Sequence, residues 1–147
     1  DGKECVCSLY QRAQYQKKIS GPVLDRMDLF VWVPRLKFSK LHRNGESSKV
    51  VRERVERSRY IQQERFQGTK ILLNAEMRMP EIEKFCEVPP EAKPILEQAV
   101  DKLHLSPRGY FRLLKVARTI ADLEGSENVK SKHVLEAVEY RPKKFDI

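Results

Sequence analysis

The stretch that most constrains this chain is Leu105–Gly125, which reads as one helix with both ends marked. Ser106 can cap the first turn through its hydroxyl, and Pro107 suits the first helical position because its missing N–H needs no partner there. Gly125 can take the left-handed conformation that closes a C-terminus. Between these marks Tyr110, Leu113, Leu114, Ala117, Ile120, Ala121 and Leu123 form a broad apolar stripe at helical spacing. A stripe of that width must be covered by other elements. Arg108, Arg112 and Lys115 recur at i, i+4 and i+7 on another face. Arg108 stands in the first turn, where the helix dipole already makes a positive end. Such an end welcomes an anion. Two readings stand for Arg108: a solvated arginine, or a phosphate clamp.

The flanking sequence supplies the cover. Ser47 or Ser48 caps a long helix running to about Phe66 and ended by Gly68. Met79-Pro80 begins a short helix to about Cys86, and Val88-Pro89-Pro90 breaks it. Pro90 opens another to about Leu103, with Ala92, Ile95, Leu96, Ala99, Val100 and Leu103 inward. Ser131 caps the last, through Val134, Leu135, Ala137 and Val138 to Tyr140. The pattern predicts an all-helical body over residues 47–141, without a fixed repeat, and a frayed tail at 142–147.

Upstream, Ser8 to Lys18 reads as a helix with Leu9, Ala13 and Ile19 inward, stopped by Ser20-Gly21-Pro22. A turn then sets Arg26 between Asp25 and Asp28. Leu29-Phe30-Val31-Trp32-Val33, closed by Pro34, fits a strand buried on both faces. Such a strand needs neighbours, and Ile71-Leu72-Leu73 is the only other candidate. With no initiating methionine either, the chain is expected to be a piece of a longer polypeptide. Residues 35–46 form a polar, basic connector with Asn44-Gly45 as a turn.

Charge narrows the function classes. The net charge is +8, and the excess is local: residues 35–70 carry eleven basic side chains against four acidic, while residues 71–147 carry thirteen of each. A local excess is an electrostatic footprint for a polyanion such as nucleic acid, with Arg52, Arg54, Arg57 and Arg59 as candidate contacts. It is equally read as a solvated helix laced with i,i+4 pairs such as Glu53–Arg57. No apolar run spans a membrane and no secretory signal opens the chain, so a cytoplasmic location and no membrane partner are expected.

Cys5 and Cys7, one residue apart, could be half of a tetrahedral zinc site, which needs four ligands. Only Cys86, His42, His104 and His133 remain, with no second paired spacing. Either the thiols are unligated or the other half lies upstream. None of the six glycines sits in a phosphate-cradling loop, and no zinc-protease or Ser/His/Asp pattern occurs. The chain by itself is therefore not expected to bind or hydrolyse a nucleotide. Arg26 and Arg108 remain as groups able to stabilise a transferring phosphoryl group. Their alternative is a surface pairing with a carboxylate, worth under about 1 kcal/mol.

Several of these segments resemble one family. Ser20–Leu29 (SGPVLDRMDL) and Leu105–Leu123 (LSPRGYFRLLKVARTIADL) are similar to motifs of the magnesium-chelatase-like AAA+ ATPases, in the ComM/YifB competence-protein group. Arg52–Val55, Gln62–Phe66 and Glu136–Arg141 match as well, so the resemblance covers nearly the whole chain. It implies a mainly α fold: an AAA+ C-terminal helical lid over residues 47–141, preceded by a helix and one strand left over from the α/β ATPase core in residues 1–34. The phosphate-loop and acidic nucleotide motifs would lie upstream. Arg26 then takes the arginine-finger position, reaching the γ-phosphate held by a neighbouring subunit, and Arg108 the sensor-2 position. The resemblance further implies ATP and Mg in the intact protein, a ring oligomer completed by the upstream core and neighbouring subunits, and DNA as a partner. Cys5 and Cys7 match one of two cysteine pairs in the family, which implies zinc. Pro107 and Gly109 both depart from typical alanines. Gly109 loosens the first turn by up to about 1 kcal/mol relative to alanine, and either lets the arginine approach a phosphate closely or has no consequence. The rival to this implication is a stand-alone basic helical module that binds nucleic acid.

Overall fold

A computed structural model describes residues 6–16, 18, 21–33 and 45–142. Among these, the α-helices are α1 (Leu9–Gln16), α2 (Gly21–Leu24), α3 (Ser48–Arg65), α4 (Met79–Phe85), α5 (Lys93–Leu103), α6 (Pro107–Glu124) and α7 (Ser131–Glu139). Single 3-10 turns precede α4 at Asn74–Glu76 and α5 at Pro90–Ala92. The chain is mainly helical, as its periodicity requires.

α6 forms where its end signals place it. The Ser106 hydroxyl accepts the Gly109 N–H at 3.0 Å, and Gly125 closes the other end at φ 74°. Leu113, Ala117 and Ala121 along its inner stripe are fully buried. α6 packs chiefly on α7, where Ala117 and Ala121 meet a helix carrying buried Val134 and Ala137. Small side chains on both helices let the axes approach closely. α4, α5 and the turns before them close the core with Met77, Ile82, Cys86, Ala92 and Leu96. His104 adopts a left-handed conformation, φ 49°, which reverses the chain between α5 and α6.

α3 joins this core only by its C-terminal half. Ser58, Gln62 and Phe66 are buried, whereas every residue from 48 to 57 is exposed. Gln62 Oε1 accepts the Asn74 N–H at 2.9 Å, which satisfies a buried backbone donor of the 3-10 turn. Asn74 in turn donates to Asp122 Oδ2 at 2.7 Å, and Arg65 Nη1 donates to the same oxygen at 2.7 Å. Arg118, one helical turn before Asp122, completes the cluster and also holds the Ser126 and Glu127 carbonyls.

Three expectations are corrected. Residues 29–33 form no strand: among the described residues there is no strand to pair with, and Val31, Trp32 and Val33 are 66%, 75% and 82% exposed. Their one ladder-like bond runs from the Phe30 N–H to the Tyr140 carbonyl, 2.9 Å. α1 buries neither Leu9 nor Ala13, since no described element covers its apolar side, and Ile19 lies outside the described residues. Ser131 does not cap α7. That position belongs to Lys130, whose N–H is accepted by the His133 Nδ1 at 3.0 Å. Most of the connector 35–46, Cys5, Ser20, Pro34 and residues 143–147 also lie outside the described residues.

Candidate anion-binding cleft

The start of α6 does two jobs. Besides capping its own helix, Ser106 donates its hydroxyl hydrogen to Asp25 Oδ1 at 2.6 Å. That bond docks the segment after α2 onto the first turn of α6. Arg141, only 4% exposed, donates to the Met27 carbonyl at 3.0 Å and lies near the Phe30 ring. Asp28 pairs with Arg112. Gly109 is buried under these contacts: a Cβ there would lie 3.3 Å from Arg141 Nη2 and 3.4 Å from Asp25 Oδ1. The glycine thus makes room for the docked segment, a reason unrelated to phosphate.

Beside this joint, the i, i+4, i+7 spacing places Arg108, Arg112 and Lys115 on one wall of a cleft of about 340 Å³. Arg78, just before α4, adds a fourth cation, and Asp28 is the only carboxylate among the lining residues. Met77, Ile82 and Phe111 give the cleft an apolar component. Lys115 Nζ donates to the Ala75 carbonyl at 2.9 Å. Partial burial, and then the neighbouring Arg112 charge, lower the Lys115 pKa. Arg108 is exposed and makes no hydrogen bond or ion pair among the described residues. A helix N-terminus walled by four cations is chemically suited to a polyanion with several acceptor oxygens.

The other candidates are placed as follows. Arg26 is exposed in the turn after α2, where its Nη1 donates to the Pro22 carbonyl at 3.1 Å. Its neighbours dock on α6, but its own guanidinium does not line the cleft. Arg52, Arg54, Arg57 and Arg59 are all exposed on the projecting half of α3. Arg52 and Arg59, seven apart, share a face, while Arg57 lies nearly opposite. Arg54 pairs with Glu46 at 2.7 Å; the expected Glu53–Arg57 pair does not form. Cys7 is exposed, and among the described residues no group of three or more His, Cys, Asp or Glu side chains is arranged for a metal. Burial pushes the Cys86 thiol up to about 11, which makes it an inert core group. No helix among the described residues is long and apolar enough to cross a membrane.

Arg78, Arg141 and the Asp25–Ser106 clasp had no sequence signal, because each joins parts of the chain far apart in number. Arg112 and Lys115 did have one: their phase with Arg108.

Comparison with known proteins gives a consistent picture. The model of the magnesium chelatase subunit ChlI C-terminal family matches residues 45–141, and the ChlI model itself matches residues 1–41. The competence protein ComM of Haemophilus influenzae is 44% identical over 134 residues, covering 89% of this chain and 26% of the relative. The uncharacterized protein YifB of Escherichia coli is 41% identical over 143 residues, 95% of this chain and 28% of the relative. An uncharacterized Mycobacterium tuberculosis protein is 34% identical over 142 residues, again 28% of its length. The chain thus spans about a quarter of the length of these relatives.

Proposed function

The chain belongs to the magnesium chelatase subunit ChlI C-terminal family, and from that premise we propose that it is the helical lid of an AAA+ ATPase whose Arg108 contacts a bound nucleoside triphosphate. The observation that carries this reading is the exposed Arg108 guanidinium, without a hydrogen bond or ion pair among the described residues, in a four-cation cleft at the start of α6. A cation at that end of a helix is unfavourable by a few tenths of a kcal/mol, and an anion in the cleft offsets it. The donor set fits the phosphate oxygens of ATP. It offers no cluster of carboxylates for Mg, whose ligands would come from other parts of the polypeptide. When bound, ATP supplies the phosphoryl group that is transferred to water. The chain's own part is to orient and neutralise the triphosphate.

Arg26 serves a different pocket. It does not line the cleft of its own chain, and among the described residues its guanidinium donates to the Pro22 carbonyl. An exposed arginine on a docked turn suits an arginine finger reaching the nucleotide of the next subunit in a ring. Cys5 and Cys7 would give two of the four thiolates of a zinc site. One relative's name, competence protein, agrees with a role in DNA handling, for which Arg52 and Arg59 on α3 are the contacts.

The test is ATP turnover by the full-length protein. Arg108→Ala and Arg26→Ala should each lower turnover by about a hundredfold or more. Mixing the two variants should recover part of the rate, since an intact Arg108 subunit can then meet an intact Arg26 neighbour. Unchanged turnover in Arg108→Ala removes the lid role, and unchanged turnover in Arg26→Ala removes the finger. For DNA, Arg52→Ala with Arg59→Ala should weaken binding and flatten its salt dependence.

A further inference from the structure

Arg112 is only partly used by the contacts it makes. It stands one turn beyond Arg108 on the same wall of the cleft. Its bonded acceptor among the described residues is Asp28, through one nitrogen and one carboxylate oxygen. Its Nε is buried and has no hydrogen-bond partner there. A guanidinium has five N–H donors, so most of its capacity is unmet. Asp28 is a weak tenant. Its side chain is 51% exposed, against 27% for Arg112. An exposed pair of this kind contributes at most about 1 kcal/mol.

The segment carrying Asp28 does not depend on that pair. Asp25 is held by Ser106, Met27 by Arg141 and Phe30 by Tyr140. The carboxylate can therefore leave while its backbone stays docked. There is room beside it, because Asp28 borders both the cationic cleft and an adjoining groove of about 290 Å³. That groove is lined largely by apolar side chains, among them Leu29, Val116 and Ile120.

We infer that Arg112 is a second anion ligand of the cleft, and that Asp28 is an internal carboxylate which an incoming phosphate displaces from it. A phosphate group presents three acceptor oxygens and answers the open donors better than one carboxylate oxygen. The displacement also raises the local positive excess: four cations then face the polyanion with the single carboxylate moved aside. Lys115, crowded by Arg112, gains from the same exchange. The inference rests on reading the cleft as a triphosphate site, and it adds which residue completes that site and what occupies the residue beforehand.

Calorimetric titration of the chain with inorganic tripolyphosphate tests it. Asp28→Asn should tighten binding about three- to tenfold, the effect of removing one competing charge at a partly exposed site. Asp28→Ala should do the same, with circular dichroism showing that each variant is folded. In Asp28→Asn combined with Arg112→Gln the gain should vanish. Unchanged or weaker binding in both Asp28 variants overturns the inference, as does a gain that survives loss of Arg112. The two failures separate cleanly. If Arg108→Gln abolishes binding while the Asp28 variants change nothing, the triphosphate site stands and the displacement does not. If Arg108→Gln has no effect while the Arg112-dependent gain appears, the second ligand stands and the Arg108 reading falls. Absence of binding by every variant overturns both.

Discussion

Asp122 is the residue on which most of the buried polar structure converges. It is 1% exposed and accepts from Arg65, Arg118 and Asn74. Those donors come from α3, α6 and the 3-10 turn before α4, so one carboxylate ties three pieces of chain together. Arg118 sits on the same helix as Arg108, yet their situations are opposite. Arg118 is 3% exposed and every polar group of its guanidinium has a partner, whereas Arg108 is exposed and has no hydrogen-bond partner among the described residues. Removing the shared acceptor strands two cations in a closed site. Asp122→Ala should therefore cost about 3–5 kcal/mol, the range for breaking a buried ion pair on one side. That is a large part of the ~5–15 kcal/mol by which a domain is stable. Asp122→Asn should cost nearly as much, since its amide turns a donor towards the guanidinium groups. Urea unfolding measures both; a loss under about 1 kcal/mol in Asp122→Ala would show that the apolar core alone holds α3 in place.

At the scale of elements, Glu124 clasps the turn that joins α6 to α7. This acidic side chain stands at the C-terminal end of α6, where the dipole disfavours it. Lys132 and the His133 Nε2, the latter at 2.5 Å, both engage it across the turn. The His133 Nδ1 accepts the Lys130 N–H, so the Nε2 carries the hydrogen that points at Glu124. Bonds from Lys132 and His133, in that order, hold the Glu124 carboxyl down at about 2, from an ordinary value of 4.5. The sign follows from linkage. A carboxyl depressed in the folded state stabilises fully above its unfolded value, and the contribution is lost as pH falls towards the folded value. Stability should thus decline between pH 4.5 and 2 more steeply in the parent chain than in Glu124→Gln. Thermal melts across that window measure the difference, and parallel curves would contradict the role given to this joint.

For the whole molecule, what could be read from the sequence was local, and what could not was long-range. Ser106, Pro107 and Gly125 act within one helical turn, so the limits of α6 were legible. The phase of Arg108, Arg112 and Lys115 was legible for the same reason. Ser131 is not the cap because the helix starts one residue earlier, with the Lys130 carbonyl accepting the His133 and Val134 N–H groups. Arg78 joins the cleft only through the packing of α4 on α6, and Arg141 reaches Met27 across most of the chain. No periodicity carries that information. The apolar run at 29–33 was legible as something to be buried, and in this chain it is not. Val31, Trp32 and Val33 stand open next to a segment that is otherwise firmly docked. A row of large exposed apolar side chains invites another strand or surface to cover it. Trp32 is the only tryptophan, so its fluorescence reports on this row without interference. In the isolated chain its emission should be that of a solvated indole and should be quenched readily by acrylamide. In the full-length protein the emission should move to the blue and the quenching should fall, because a covered indole has lost its water. A solvated spectrum in both would mean that the run stays bare in the complete polypeptide and would overturn this prediction.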